Sequence, residues 1–329
     1  MCTSLTFQTK DFYFGRNLDL EYNFGEKIVV TPRQYPFVFK FAGTLAQHYA
    51  IIGTAQITDG CPLYAEAVNE KGLCLAGLNF PGNAVYAKAP AERKTNLAPF
   101  ELFGFLLGSC ATVQEAEEKL KTVCITHTAF KDGYPVAPLH WHIADKDRSL
   151  VLECTEDGMH IYENPVGVLT NNPPFPFHLT NLQNYMHLTP NPPKNRFAPA
   201  LDLSPYGLGL GAMGLPGDAS PASRFVRAVF CKWNSEQPES EEASVTQFFH
   251  ILDNVAMVSG TVLTPENKLD KTTYSSCINA SRGIYYCKTY NNNQISAVRL
   301  FDTAFAAKDL IEFPMPDTQQ IHYLTPVSS

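Results

Sequence analysis

The chain opens on short stretches whose apolar positions recur with a strand's period of two. Cys2 to Thr9 alternates loosely, Phe12 to Leu18 follows a Lys10-Asp11 turn, Lys27 to Thr31 is β-branched, and Tyr49 to Ile57 is an apolar run. Tyr64 to Val68 and Leu73 to Leu78 then flank Asn69-Glu70-Lys71-Gly72, which reads as a hairpin with glycine at its tip. Two helices follow: Pro99 to Leu107, with proline near its start, and the segment after Thr112-Val113-Gln114-Glu115, a capping box whose charged continuation EAEEKLKTV belongs in solvent. Strands resume at Leu139 to Ala144 and Ser149 to Cys154, with shorter ones at His160 to Tyr162 and Gly167 to Thr170. Helices return at Ala222 to Trp233 and Ala243 to Val258, and Thr272 to Leu300 reads as a three-stranded meander turning at Ser281-Arg282-Gly283 and Asn291-Asn292-Asn293.

Strands, helices, strands, helices and strands again, without βαβ alternation, predict an α+β chain with largely antiparallel sheets and helices outside. Residues 171–222 concentrate proline and glycine in NNPPFP, PNPPKN and GLGLGAMGLPGD, yet aromatic and aliphatic side chains are interleaved throughout. That mixture predicts a loop-rich excursion rather than a flexible linker. No internal repeat or low-complexity tract interrupts the chain.

Composition narrows the class. With 45% hydrophobic and only 17% charged residues the chain is globular, and 329 residues can bury a sizeable core, as two domains by length alone or as one layered domain. The longest apolar region, Phe100 to Cys110, is broken by Glu101 and two glycines, so no membrane insertion is expected. MCTSLTFQTKDFYFGRN lacks a basic segment followed by an apolar one, which makes a cytoplasmic location the expectation. A net charge of −7 gives no footprint for phosphate backbones, so no nucleic-acid partner is expected. Nine cysteines, an odd number with no C-x-x-C pair, argue against a disulfide framework and a zinc ribbon.

Candidate chemistry centres on Cys2. It follows the initiator methionine, and a small second residue allows that methionine to be removed, leaving a thiol and a free α-amine on one residue. An α-amine with an ordinary pKa of about 7.7–8.0 suits a general base near neutrality, as in N-terminal nucleophile hydrolases. Taken alone a cysteine at position 2 also reads as incidental. The run Phe14-Gly15-Arg16-Asn17-Leu18-Asp19 adds a cation and a carboxylate that a hairpin would return beside the chain start, where Arg16 could favour the thiolate and Asp19 could hold the amine. A surface ion pair is the alternative.

The blocks MCTSLTF…DFYFGRNLDLEY, NEKGLCLAGLNFPG, GVLTNNP, GLPGD with PASRFVRA, FFHILDNVAMVSG and YSSCINASRGIYYCKTYNNNQI occur in order across essentially the whole chain. Together they resemble the choloylglycine hydrolase family, and within it the bacterial conjugated bile salt hydrolases. The resemblance implies an αββα four-layer sandwich in a single domain over residues 1–329, a homotetramer assembled through the excursion at about 190–220, and no cofactor or metal. It also implies release of glycine or taurine from conjugated bile salts. Residue by residue, the nucleophile falls on Cys2, the thiol-side arginine and amine-binding aspartate on Arg16 and Asp19, the oxyanion donors on Asn79 and Asn171, and a second active-site arginine on Arg224. Asn172 competes for the role of Asn171, its alternative being a turn residue before Pro173. The same resemblance places the steroid against Leu18, Thr58, Ala65, Phe130, Tyr134 and Leu139, which would otherwise read as core or loop packing. Asn79 favours bile salts over penicillin V, because penicillin V acylases of the family usually carry tyrosine there. The rivals are an acylase for penicillin V or another N-acyl amide, and a steroid-binding protein without catalysis.

Other constellations carry less. His140-Trp141-His142 puts two imidazoles on one strand face without an evident third ligand, so packing is the simpler account. Gly207 to Gly211 lacks the Lys-Ser/Thr of a phosphate loop, and no local signature supports Cys110 as a papain-like nucleophile.

Overall fold

The computed structural model describes residues 1–326; the last three residues of the domain expected over 1–329 lie outside them. Fourteen strands in two antiparallel sheets carry the molecule. In chain order they are β1 (Cys2–Gln8), β2 (Phe12–Leu20), β3 (Lys27–Thr31), β4 (Ile51–Thr58), β5 (Cys61–Asn69), β6 (Cys74–Asn79), β7 (Leu139–Ala144), β8 (Ser149–Thr155), β9 (Gly158–Glu163), β10 (Val168–Leu169), β11 (Leu269–Asn279), β12 (Ile284–Thr289), β13 (Ser296–Arg299) and β14 (Ile311–Phe313). One sheet runs β10-β1-β2-β11-β12-β13, with Val262–Leu263 added beside β11. The other runs β9-β8-β7-β6-β5-β4-β3-β14.

Alternation along the strands explains the layering. On β3, Ile28 and Val30 enter the core shared with the first sheet, while Val29 enters a second core beneath helices α1 (Leu102–Ser109) and α2 (Val113–Leu120). Trp141 and Ile143 on β7 join that second core, which turns His140 and His142 to the inter-sheet side. Helices α4 (Pro221–Asn234) and α5 (Glu241–Asp253) cover the far face of the first sheet with Phe225, Phe248 and Leu252. The order is therefore helices, sheet, sheet, helices, as the resemblance implied. Because β2 is covered on both faces, eight of its nine residues are buried, including Arg16, Asn17 and Asp19.

The sequence expectations hold for the strand-rich start and the C-terminal meander, whose bounds shift by a few residues. The capping box is only half formed: Thr112 accepts the Glu115 amide, but the Glu115 carboxylate turns to the Ala111 amide. A short helix, α3 (Phe175–Asn181), stands where NNPPFP reads as loop. Pro174 and Pro176 fall at its start, where proline costs no intrahelical hydrogen bond. No described helix is long and apolar enough to cross a membrane.

Candidate active site

The β1–β2 hairpin places Cys2 opposite Leu18, with Ser4 opposite Arg16. Met1 lengthens this ladder by one rung: the Asp19 amide donates to Met1 O at 2.9 Å, and the Met1 ammonium donates to Asp19 O at 2.6 Å. That ammonium also lies 3.2 Å from Asp270 Oδ2, on the neighbouring β11. The Cys2 amide points the other way and donates to Asn171 Oδ1 at 2.8 Å.

Asn171 follows β10, the strand on the other side of β1. Its carboxamide is oriented by its partners, since Oδ1 accepts from both Cys2 N and Arg224 Nη2 (2.7 Å) while Nδ2 donates to Asn79 O at 2.7 Å. The backbone carrying it is held by two buried imidazoles: His140 Nε2 donates to Thr170 O and His178 Nε2 to Asn171 O, each at 2.9 Å. His140 is in turn fixed by Glu153 at 3.0 Å and by stacking on Phe80. Of the two asparagines only Asn171 contacts Cys2, because Asn172 Nδ2 donates to Pro81 O instead.

Arg224 arrives on the first turn of α4. Ser220 caps that helix by accepting the Ser223 amide, Pro221 fixes its start, and Asp218 receives the Ser220 amide and the Ser223 hydroxyl. Those hydrogen bonds hold the Asp218 carboxyl at about 2. Arg224 Nε donates to Ala219 O, and Nη1 donates to Thr3 Oγ1 at 2.6 Å and to Cys2 O. Burial pulls the Arg224 guanidinium below its ordinary value, an effect the charges of Asp19 and Cys2 oppose.

Arg16 faces the second sheet. Nη1 donates to Ala65 O (3.0 Å) and Gly77 O (2.6 Å), whereas Nη2 is buried with no partner among the described residues. Asp19 Oδ1 accepts the Thr272 hydroxyl at 2.6 Å, and its Oδ2 is likewise buried and unpartnered. Burial raises the Asp19 carboxyl, against the pull of Arg224 and the N-terminal ammonium. The site thus combines a thiol, two guanidiniums and carboxamides in a dry setting, where aimed charges act more strongly than in water.

Of the six sequence-derived polar residues, hydrogen bonds join Cys2, Asn171 and Arg224 directly, while Arg16 lies near enough for the charge of Cys2 to act on it, and Asp19 near enough to act on Arg224. Asn79 enters through its backbone carbonyl, and its half-buried side chain makes no hydrogen bond within the described residues. Leu18 is buried opposite Cys2, Ala65 touches Arg16 through its carbonyl, and Leu139 pairs with Asn79. Phe130 and Tyr134 meet edge-on at 5.8 Å, and Lys131 between them bridges at 2.7 Å to Asp59, the neighbour of Thr58. Phe130 and Asp59 also line a cavity of ≈ 320 Å³ with Pro62 and Phe100. Asp270 and Glu66 had no local signal: each is one acidic residue in a strand.

His140 and His142 share a face as their spacing implies, but each serves the fold. His142 sits between the Ser4 and Ser149 hydroxyls, 2.8 Å from each. Among the described residues no group of three His, Cys, Asp or Glu is placed to hold a metal ion. Burial, with smaller contributions from Lys232 and His140, lowers the His142 imidazole from 6.5 to about 3. The unfolded chain therefore takes up a proton first, and stability should fall as pH drops from 6.5 towards 3, by at most roughly 1.4 kcal/mol per pH unit. Melting temperatures across that range should decline less steeply in His142→Gln; an identical acid limb would rule out His142 as a source.

Residues 2–313 match the model of the choloylglycine hydrolase family, described as linear amide C–N hydrolases. A bile salt hydrolase/transferase of Lactiplantibacillus plantarum is 45% identical over 98% of this chain and 99% of its own length. The crystal structure of a cysteine-to-alanine mutant of the conjugated bile acid hydrolase from Clostridium perfringens superposes with a TM-score of 0.92 at 37% identity, covering 99% of this chain and 100% of that one. A penicillin V acylase from Agrobacterium tumefaciens shares the fold, with a TM-score of 0.76 at 18% identity over 94% and 90% of the two chains.

Proposed function

Because this chain belongs to the choloylglycine hydrolase family of linear amide C–N hydrolases, we propose that it hydrolyses the amide bond of glycine- or taurine-conjugated bile salts. The observation that carries this reading is 45% identity, along nearly the whole of both chains, to a protein named for bile salt hydrolysis.

In the proposed mechanism Met1 is removed, and the Cys2 nitrogen becomes a free α-amine. The Cys2 sulfur attacks the amide carbon, the carbon–nitrogen bond breaks, and the amine delivers the proton that lets glycine or taurine depart. Water, deprotonated by the same amine, then cleaves the thioester, releasing the bile acid and restoring the thiol. Arg16 supports the thiolate, and the Asp19 carboxyl, whose Oδ2 is free of partners among the described residues, holds the amine. Asn79, with the remaining Asn171 N–H, faces the developing oxyanion. Arg224 supports the reaction by fixing Asn171 and the Cys2 carbonyl. Leu18, Ala65, Phe130, Tyr134 and Leu139, with Thr58, offer the apolar wall that a steroid needs.

The same reading places the protein in the bacterial cytoplasm as a homotetramer of single domains. The exposed Phe197, Tyr206 and Leu208 of the excursion, 91%, 87% and 96% accessible, supply apolar contact surface. Turnover of glycocholate, taurocholate and penicillin V by the purified protein tests the substrate: the conjugates should be cleaved preferentially, and preference for penicillin V would overturn the choice.

A further inference from the structure

One buried carboxylate behind Cys2 has no part in the proposed reaction. Glu66 lies on β5 in the otherwise apolar run Tyr64-Ala65-Glu66-Ala67-Val68 and is fully buried. An ionised carboxylate there needs partners, because desolvating it alone costs several kcal/mol. Three come from the opposite sheet. The Tyr285 hydroxyl donates to Oε1 at 2.6 Å, the Tyr274 hydroxyl donates to Oε2 at 2.7 Å, and Arg16 Nε lies 3.9 Å from Oε2. Thr54 on β4 steadies Tyr285 from the far side.

Burial raises the Glu66 carboxyl, an effect that Arg16, Tyr285 and Tyr274 oppose, and the arrangement sets Arg16 between that carboxyl and the Cys2 thiol. Its Nη1 is committed to the Ala65 and Gly77 carbonyls, its Nε side faces Glu66, and Nη2 is left bare. Cys2 and Glu66 both act on the buried guanidinium, raising it against the desolvation that would lower it. The titratable and charged groups around this cluster are Arg16 and Asp19 on β2, Cys2 on β1, Tyr274 on β11, Tyr285 and Cys287 on β12, and Glu26 before β3.

We propose that Glu66 is a positioning residue of the hydrolysis: a counter-charge anchored by Tyr274 and Tyr285 that fixes the Arg16 guanidinium between the sheets and shares its charge with Cys2. The proposal rests on the reading of Cys2 as nucleophile. Glu66→Gln keeps the shape and an oxygen for one tyrosine while deleting the charge, so all of Arg16 acts on the thiol. Alkylation of Cys2 by iodoacetamide in the mature chain should then reach its pH midpoint about one unit lower. The kcat should fall about tenfold as the guanidinium loses its anchor, with KM little changed. Glu66→Asp keeps the charge but withdraws it by a methylene, so its midpoint should stay near that of the parent while kcat still falls about tenfold.

A role in stability alone would lower the melting temperature without moving the midpoint. A Glu66→Gln midpoint that is unchanged or higher overturns the proposal; if that variant does not fold, parental kcat in Glu66→Asp does so. Alkylation needs no substrate, so the two readings fail separately. Failure of the parent to cleave either conjugate sinks the function, and an unmoved midpoint in an active parent sinks only the role of Glu66.

Discussion

Cys2→Ala should eliminate hydrolysis of conjugated bile salts, with kcat falling on the order of 10⁶-fold, the loss expected when a nucleophile that works as a unit with its base is deleted. The α-amine, Arg16, Asn171 and Arg224 all remain in this variant, yet none can form a thioester. Cys2 is buried and its side chain small, and the nearby hydrogen bonds of residue 2 use its backbone nitrogen and oxygen. The fold should therefore survive, and circular dichroism with a melting curve close to the parent would separate loss of chemistry from loss of structure. Product release from glycocholate is the measurement; residual turnover above about a thousandth of the parent would mean that another group attacks the amide. Eight other cysteines are present, but burial raises the thiols of Cys74, Cys110, Cys154, Cys277 and Cys287 above the ordinary range. Alkylation that blocks Cys2 should abolish activity.

The second large effect is expected at Asn171. Its side-chain oxygen receives both the Cys2 nitrogen and Arg224, so Asn171→Ala strands two buried donors while removing the amide proposed to stabilise the oxyanion. Activity should fall about 10²–10³-fold, and stability by about 1–3 kcal/mol for the unsatisfied groups. Asn171→Asp makes the comparison sharper: it retains the acceptor for both donors but loses the N–H given to Asn79 O. Its melting temperature should recover towards the parent while kcat stays low. Steady-state kinetics of the pair decide the matter, and an alanine variant within twofold of the parent would remove Asn171 from the mechanism.

How much of this site was readable beforehand follows from distance along the chain. Cys2, Arg16 and Asp19 lie within 18 residues, and a single hairpin joins them, so residue type and a turn sufficed. Asn171 and Arg224 arrive from later segments, and only resemblance singled them out. No periodicity separates Asn171 from Asn172; their opposite directions come from β10 pairing with β1 and from His178 gripping the Asn171 carbonyl. Spacing correctly placed His140 and His142 on one face, but their partners Glu153, Ser4 and Ser149 depend on which strands become neighbours. Helix α3 was hidden because proline reads as a breaker unless its place in the first turn is known.

Under the proposed removal of Met1, this residue holds its place beside Cys2 only temporarily. While present, it satisfies the amide and carbonyl of Asp19 and one oxygen of Asp270. Cutting it away exposes one donor and two acceptors at once, in addition to uncapping the amine. Trimming is therefore a change of wetting as much as of covalent structure: the groups that Met1 had satisfied must recruit water or the polar end of a substrate.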